Sequence, residues 1–361
     1  MADVSRAIDQ CQKEIDELKK KLEQLREDDD DADVLRRVAR EQNVAAVKVA
    51  LKPRKILRGH FGKIYSTVWS TDSKRLVSAA QDGKLMLWNT HNAVKLFVIS
   101  LRSSWVMSCG YSPSGTMVAS GGLDNVATVY KLPPSMQQAN LKTEPKDPGE
   151  AHITAELNVH EGYVSSCRFI DNNSILTSSG DGTCALFDIE TQYAKTVFKG
   201  HDADVMAVST VPEDHNIFLS CSVDTTSKLW DARAGENAQM TFEGHESDIN
   251  SVYLFNGGNT FVSGADDTTV RLFDIRAYKQ LSSYHTTRNM VGVTSVGVSA
   301  SGRILFAGYD STDFWAWDLQ LASPIQVLEK AHTNKVSCLS VSPNGHGLVT
   351  GSWDYLLKIW A

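Results

Sequence analysis

Histidine, serine or threonine, and aspartate recur at fixed spacings along this chain, and together these residue types can activate a nucleophile. In six places an aspartate stands six residues before an aromatic residue, and a serine or threonine precedes the aspartate by four residues. The aspartates are Asp82, Asp124, Asp181, Asp224, Asp267 and Asp354, and the hydroxyl residues are Ser78, Ser120, Thr177, Ser220, Ser263 and Thr350. In five of these places a histidine lies 21–23 residues upstream, at His60, His160, His201, His245 and His332.

The repetition favours a structural role for these residues over a catalytic one. An active site needs one triad, whereas this set recurs in five separate units. Imidazole can donate to the carboxylate and accept from the hydroxyl, and an indole N–H can donate to the hydroxyl oxygen. We therefore predict buried polar chains and no catalytic residue, metal site or cofactor. The complete chains are His60, Ser78, Asp82 and Trp88; His201, Ser220, Asp224 and Trp230; and His332, Thr350, Asp354 and Trp360.

The aromatic residue marks seven units of nearly constant length. It stands at Trp88, Tyr130, Phe187, Trp230, Phe273, Trp317 and Trp360, at intervals of 42, 57, 43, 43, 44 and 43 residues. Four-stranded units of roughly 40–45 residues are typical of β-propeller blades, which bury their faces against neighbouring blades. We predict an all-β, seven-bladed propeller over residues 47–361. The one long interval predicts a surface loop within 133–150, between the third and fourth strands of the second blade.

The last unit is one strand short, and a segment before the first unit can supply that strand. The patterns KTVFKGH, ending at His201, and QMTFEGH, ending at His245, mark fourth strands that lead into the next histidine. RKILRGH has the same register and ends at His60, before any unit has begun. We predict that residues 47–58 pair with the C-terminal strand and close the ring, which leaves no exposed edge at the ends of the stack.

Residues 1–46 are predicted to form a separate segment with a coiled-coil helix. Apolar residues follow the alternating 4,3 spacing of a heptad seam, at Val4, Ile8, Cys11, Ile15, Leu18, Leu22 and Leu25. A lone helix with so narrow an apolar stripe is marginal in water, so we predict that it pairs with a helix of another chain. Packing against the chain's own propeller is the alternative. The acidic run Glu27–Asp33 is interpreted as a solvated linker.

Composition excludes several functional classes. The 361 residues are 42% hydrophobic and 22% charged, which is ordinary for a globular protein. The net charge of −7 argues against nucleic-acid binding, which favours a basic surface. No apolar run is long enough to span a membrane, and the first residues are too polar for a signal peptide. The six scattered cysteines predict buried thiols in a reducing compartment.

Positions that vary between the units indicate where a partner binds. Three residues after the histidine stand Lys63, Tyr163, Asp204, Asp248 and Lys335, and directly before the aspartate stand Gln81, Leu123, Gly180, Val223, Asp266 and Trp353. Both sets fall in turns at one end of the blades, which we call the rim. Aromatic and apolar residues there have no core to fill, so they predict a binding surface; ordinary loop variation is the alternative. Acidic residues at 204, 248 and 266 are expected opposite Lys63, Lys84 and Lys95, which suits a partner carrying both charges.

Several strings in the chain together resemble the β subunits of heterotrimeric G proteins, which are WD-repeat propellers. The strings are RGHFGKIY (58–65), SAAQDGKLMLW (78–88), LRSSWVMSC (101–109), SGGLDN (120–125), GHESDIN (244–250) and GSWD (351–354). The resemblance covers nearly the whole length, from the N-terminal helix through all seven blades. Val223, Ser311 of the sixth unit, the acidic run Asp28–Asp31 and the long loop within 133–150 depart from the usual pattern of the family. The sixth unit also has Ala307 where the other units have a hydroxyl residue.

The resemblance implies a signalling role without enzymatic activity. It implies that a γ subunit pairs with the helix at Ile8, Cys11, Ile15, Leu18, Leu22 and Leu25, and that its lipid anchors an otherwise cytoplasmic dimer at the cytoplasmic face of the plasma membrane. It also implies that the GDP-bound α subunit covers the rim until a receptor activates it, after which effectors bind there. The contacts carried over are Lys63, Tyr65, Lys84, Met86, Lys95, Ser104, Trp105, Met107, Leu123, Asn125, Tyr163, Asp204, Met206, Asp248, Asn250, Asp266 and Trp353.

A general WD-repeat scaffold, for example one that docks kinases, is the alternative to a G-protein subunit. Such scaffolds normally begin with the first blade, so the heptad seam at 8–25 favours the G-protein interpretation. A propeller enzyme would need one blade with a unique set of charged groups at the channel, and the sequence offers none.

Overall fold

The strands of the chain form seven antiparallel sheets of four strands each. The computed structural model describes residues 45–137, 149–211, 214–286 and 290–361. The innermost strand of each sheet contacts the innermost strand of the next, and the last contacts the first. This arrangement confirms the seven-bladed propeller. The predicted coiled-coil helix and its heptad seam lie outside the described residues.

Blades one to three are each built from four consecutive strands. Blade one contains β2 (Ile64–Trp69), β3 (Arg75–Ala80), β4 (Lys84–Asn89) and β5 (Lys95–Ser100). Blade two contains β6 (Val106–Tyr111), β7 (Met117–Gly122), β8 (Ala127–Lys131) and β9 (His152–Leu157). Blade three contains β10 (Val164–Phe169), β11 (Ser174–Ser179), β12 (Thr183–Asp188) and β13 (Ala194–Lys199).

Blades four to six repeat the same order. Blade four contains β14 (Val205–Val211), β15 (Asp214–Ser222), β16 (Ser227–Asp231) and β17 (Met240–Phe242). Blade five contains β18 (Ile249–Phe255), β19 (Thr260–Ala265), β20 (Val270–Asp274) and β21 (Lys279–Tyr284), with a 3-10 turn at Asn256–Gly258. Blade six contains β22 (Val293–Val298), β23 (Ile304–Tyr309), β24 (Phe314–Asp318) and β25 (Ser323–Leu328).

Blade seven combines the two ends of the described chain. Its inner strands are β26 (Val336–Val341), β27 (Leu348–Ser352) and β28 (Leu356–Trp360), and its fourth strand is β1 (Pro53–Arg58). Strand β1 runs antiparallel to β28, with Leu57 opposite Leu357. The backbone groups of Lys52 and Ala361 also exchange two hydrogen bonds of 3.2 Å. Pairing thus covers the second half of the segment 47–58, and proline is tolerated at position 53 because this strand is outermost.

The hydrophobic core lies between the blades rather than within them. Blades one and seven share a cluster that includes Leu57, Leu76, Trp88 and Ile359, each at most 7% exposed. The other clusters likewise draw their residues from neighbouring blades. Each blade presents two apolar faces, so a blade without two neighbours would leave one face in water.

The long interval of the second unit falls between β8 and β9, and residues 138–148 within it lie outside the described part of the chain. It begins with a short helix, α1 (Pro134–Gln137). Met136 is fully buried, and its carbonyl oxygen accepts a hydrogen bond from the guanidinium of Arg75. Helix α1 is therefore tied to blade one, at the end of the blades away from the rim.

The described part of the chain contains no helix that is long and apolar enough to cross a membrane. Five cysteines, Cys109, Cys167, Cys184, Cys221 and Cys338, are free and buried. Burial raises the pKa of each thiol, for Cys109 to about 11, so these cysteines are protonated core residues at neutral pH.

Leu57 is the residue through which β1 contributes most to the core, and its replacement tests the closing contact. It is 1% exposed, whereas its neighbour Ile56 is 42% exposed. We expect Leu57→Ala to lower the free energy of unfolding by about 2–5 kcal/mol, because the substitution leaves a cavity between blades one and seven. Ile56→Ala is the matched control, with an expected change within about 0.5 kcal/mol. Equal effects in urea unfolding would show that β1 adds no core packing.

Candidate partner-binding rim

Each of five blades contains a buried chain of hydrogen bonds that begins at a histidine. In blade one the Nε2 atom of His60 lies 2.7 Å from the hydroxyl of Ser78, and Nδ1 lies 3.1 Å from the carboxylate of Asp82. The corresponding distances in blades three, four, five and seven are 2.7–2.8 Å to the hydroxyl and 2.7–3.1 Å to the carboxylate. One tautomer satisfies every partner: Nδ1–H donates to the carboxylate, and Nε2 accepts the hydroxyl proton.

A tryptophan indole extends the chain in blades one, four and seven. The Nε1–H groups of Trp88, Trp230 and Trp360 donate to the hydroxyl oxygen at 2.8–2.9 Å. In blades three and five phenylalanine fills the same place, and the chain ends at the hydroxyl. The three chains that end at an indole are the three four-residue sets identified from the sequence.

The aspartate fixes the turn before the first strand. In blade seven the carboxylate of Asp354 also accepts the backbone N–H of Thr333, at 3.1 Å. Burial alone would raise the pKa of Asp354, but the hydrogen bonds from His332 and from the backbone N–H of Thr333 outweigh burial and hold this pKa at about 2. The carboxylate is therefore ionised at neutral pH and anchors two chain segments at once.

These chains cannot act as hydrolytic triads, because no substrate can reach their hydroxyls. Ser78, Thr177, Ser220, Ser263 and Thr350 are all 0% exposed. A nucleophile must approach its substrate within bonding distance, which a fully enclosed hydroxyl does not allow. The residues that invited a catalytic interpretation are therefore part of the scaffold.

A comparison of blades four and five tests the chains quantitatively. Ser220→Ala would leave both the His201 ring nitrogen and the Trp230 indole N–H unpaired, whereas Ser263→Ala would leave only the His245 ring nitrogen unpaired. We expect Ser220→Ala to destabilise the fold by about 1–3 kcal/mol more than Ser263→Ala, the cost of one buried unsatisfied donor. Urea unfolding of the two variants measures the difference. Indistinguishable losses would mean that the indole bond contributes nothing.

The rim is formed by the turns that carry these aspartates and by the loops that carry the histidines. At its edge the indole of Trp353 lies between two ammonium groups, with Lys63 Nζ at 3.7 Å and Lys335 Nζ at 4.1 Å from the ring centroid. Tyr65 meets the indole edge-on at 6.1 Å. Two like charges repel, but the carboxylate of Asp310 lies 3.3 Å from Lys335 and offsets part of that repulsion.

Trp353 is consequently half-buried rather than the fully exposed turn-tip residue that the sequence suggested. The stack orders a cationic and aromatic surface before any partner arrives. A surface that is already ordered loses little side-chain entropy on binding.

Acidic groups occupy the rim at blades four and five. The Tyr163 hydroxyl donates to Asp204 at 2.9 Å, and the Asn250 amide donates to Asp266 at 2.6 Å. Burial and the neighbouring Asp204 carboxylate raise the pKa of Tyr163 to about 12, so its hydroxyl remains a donor at neutral pH. Blades four and five lie across the ring from blade one, so their rim carboxylates lie opposite Lys63 and Lys84.

Exposed apolar side chains stand between these charged regions. Trp105, in the loop before β6, is 44% exposed, and Leu123, in the turn after β7, is 49% exposed. Phe61 is 81% exposed, and Lys84 Nζ lies 6.0 Å from its ring centroid. The sequence-based set omitted Phe61, although its position directly after His60 is a loop tip where an aromatic residue has no core to fill.

The structure distributes the predicted contact residues over three environments. Four are exposed: Ser104, Trp105, Leu123 and Asp266. Twelve are half-buried: Lys63, Tyr65, Lys84, Lys95, Met107, Asn125, Tyr163, Asp204, Met206, Asp248, Asn250 and Trp353. Met86 is 2% exposed and packs in the cluster between blades one and seven, so its assignment as a surface contact was wrong.

Lys95 also lies away from the turns of the rim. It begins β5, the outermost strand of blade one, opposite Trp88, and its aliphatic chain passes beside Gly59. Any partner that contacts Lys95 must therefore extend from the rim onto the outer edge of blade one. The six predicted γ-subunit contacts, Ile8, Cys11, Ile15, Leu18, Leu22 and Leu25, lie outside the described residues.

The seven blades, their Asp turns and their buried histidine chains define a propeller of the WD-repeat class. The WD40 propeller domain of Doa1 has a similar fold, with a TM-score of 0.71 over 86% of this chain and 97% of that chain, at 21% identity. A family model described as "G protein beta WD-40 repeat protein" matches residues 5–361. This chain belongs to that G protein β family.

Plant proteins named guanine nucleotide-binding protein subunit beta show the extent of the similarity. The protein from Nicotiana tabacum is 44% identical over 320 residues, which cover 85% of this chain and 83% of that protein. The protein from Zea mays is 39% identical over 367 residues, which cover 96% and 93% of the two chains. Membership of this family supports a role in heterotrimeric G-protein signalling.

Proposed function

We propose that this chain is the β subunit of a heterotrimeric guanine nucleotide-binding protein. In this proposal residues 1–46 pair with a γ subunit, and the γ lipid holds the dimer at the cytoplasmic face of the plasma membrane. The rim binds the α subunit in its GDP form, and after receptor activation the free rim binds effectors. The observation that carries the proposal is the family match over residues 5–361, which includes both the heptad seam and the rim.

The rim has the properties that a reversible protein contact needs. Its charged groups are fixed by neighbours, as in the Lys63–Trp353–Lys335 stack and the Asn250–Asp266 hydrogen bond. Lysines on one side and carboxylates on the other orient an incoming partner and exclude partners with the wrong charge pattern. Trp105 and Leu123 add apolar surface between them, the type of residue that dominates binding energy at protein interfaces.

Competition for one face explains how the α subunit could control effectors. In blades one, three, four, five and seven an aspartate fastens the rim turn to the loop that carries the histidine. Two partners that require Trp105 and the neighbouring groups cannot bind together. Removal of the α subunit would therefore expose the face for effectors without any change in the propeller.

The test uses the full chain co-expressed with candidate γ subunits. We expect a stable dimer that captures GDP-loaded α subunit, and we expect Trp105→Ala combined with Lys84→Ala to weaken this capture at least tenfold while γ assembly is unchanged. Tyr193→Ala is the matched control, because Tyr193 is 78% exposed but lies in the loop between β12 and β13, at the opposite end of the blades. Its capture of the α subunit should equal that of the unsubstituted chain.

Two results would overturn the proposal in different ways. If the chain recruits no γ subunit, residues 1–46 do not have the proposed role, and a general scaffold becomes the better interpretation. If the double variant captures α as well as the unsubstituted dimer does, the rim is wrongly assigned although the subunit identity stands. Binding is measured by surface plasmon resonance with immobilised dimer.

A further inference from the structure

Blade two lacks the buried imidazole that fills the corresponding place in five other blades. In blades one, five and seven the histidine stands 22 residues before the aspartate. Counting back by the same interval from Asp124 leads to Arg102. The Arg102 side chain does not enter the blade, because it is 76% exposed and its Nη1 atom lies 2.6 Å from the carboxylate of Glu156.

A cavity of about 370 Å³ lies in blade two. Ser120 and Asp124, the counterparts of the residues that hold imidazole in other blades, line it together with Thr128, Tyr130 and Trp105. The ion-paired residues Arg102 and Glu156 also border it. A water molecule takes up about 30 Å³ in the liquid, so this space is large enough for a five-membered ring. The cavity opens toward the rim, since Trp105 and Asp124 both belong to rim turns.

The polar groups that hold imidazole in other blades are present around this cavity. Ser120 pairs across the sheet with Cys109 and Thr128, just as Ser78 pairs with Thr67 and Met86 in blade one. The hydroxyl of Ser120 therefore has the same place in its blade as the hydroxyl that binds His60, and Asp124 follows Ser120 by the same four residues as Asp82 follows Ser78. Ser120 and Tyr130 are each only 6% exposed, so two hydroxyl groups are enclosed at the cavity wall.

The charges around the cavity favour a ring with N–H donors. Arg102 and Glu156 neutralise each other through their ion pair. Among the described residues that line the cavity, Asp124 is then the charged residue without an ion pair, and it is exposed. Its counterparts in the five filled blades each accept an imidazole N–H. A neutral or protonated imidazole presents such an N–H to Asp124, whereas an anionic ligand would be repelled.

We propose that the cavity of blade two is a binding site for an imidazole ring supplied from outside the chain. One ring N–H donates to the Asp124 carboxylate, and the other ring nitrogen meets the Ser120 hydroxyl. The ring belongs either to a histidine side chain that a partner inserts beside Trp105 or to a free imidazole compound. Both sources share the same chemistry, and the experiment separates them.

The first measurement is the binding of N-acetyl-histidine-methylamide to the full chain, followed by ligand-observed NMR. We expect saturable binding in the millimolar range, weakened at least fivefold by Ser120→Ala and by Asp124→Asn. The decisive pair is Arg102→His and Arg102→Ala. Both remove the arginine, but only the new histidine can fill the cavity, so Arg102→His should abolish probe binding and Arg102→Ala should retain it.

Thermal unfolding gives an independent readout of the same site. Arg102→His should raise the melting temperature above that of Arg102→Ala, because it completes the hydrogen-bonded chain found in five other blades. Adding Ser120→Ala to Arg102→His should remove that gain. Probe binding that is equal in the two Arg102 variants, or absent from the unsubstituted chain, would overturn the proposal.

The source of the ring is assigned by capture of the GDP-loaded α subunit, and this arm alone rests on the proposed function. Weaker capture by Arg102→His than by Arg102→Ala, with competition from the probe, identifies a partner's histidine as the ligand. Equal capture by the two variants, together with the probe result above, identifies a free imidazole compound.

Discussion

The pairing of β1 with β28 is the contact on which the rest of the structure depends. Every blade buries its apolar faces against its two neighbours, so the ring has no stable form in which blades one and seven are separated. Residues 59–63 connect β1 directly to β2 of blade one, but β1 is linked to the other strands of blade seven only through the whole length of the propeller. Residues about 300 positions apart hold β1 in blade seven, through the strand ladder and through the core around Leu57. The cost of joining them grows only slowly with the length of the intervening chain.

Within this closed ring, repeated and variable residues have different roles. The histidine, hydroxyl and aspartate recur in five blades because they fasten the rim turns there, and the burial of the hydroxyl removes the set from any reaction. The positions beside them, such as Lys63, Trp353 and Asp266, differ between blades because the turns support them without requiring a particular side chain. The repeated residues thus hold the rim turns in place, and the variable residues beside them determine which partner can bind.

The fold could be predicted from the sequence because its signals are periodic. The spacing of aspartate and aromatic residue set the number of blades, and the unused RKILRGH strand indicated how the ring closes. The details of the rim depend on contacts between residues far apart in the chain, such as Lys63 and Trp353, which no local pattern contains. Met86 was expected at the partner surface because of the resemblance alone, and its burial depends on how β4 packs between blades one and seven, which the resemblance does not specify. The cavity of blade two depends on the ion pair that Arg102 makes with Glu156, which the spacing of the repeat does not indicate.

The most direct measurement of the central claim is native-state hydrogen exchange in the third strands of two blades. Strand β28 lies between β27 and the closing strand β1, and strand β16 has the same place in blade four, between β15 and β17. If β1 protects β28 as well as β17 protects β16, the amides of β28 will exchange with the same opening free energy as the amides of β16. Opening of β28 at a clearly lower free energy, before the rest of the ring, would contradict this account.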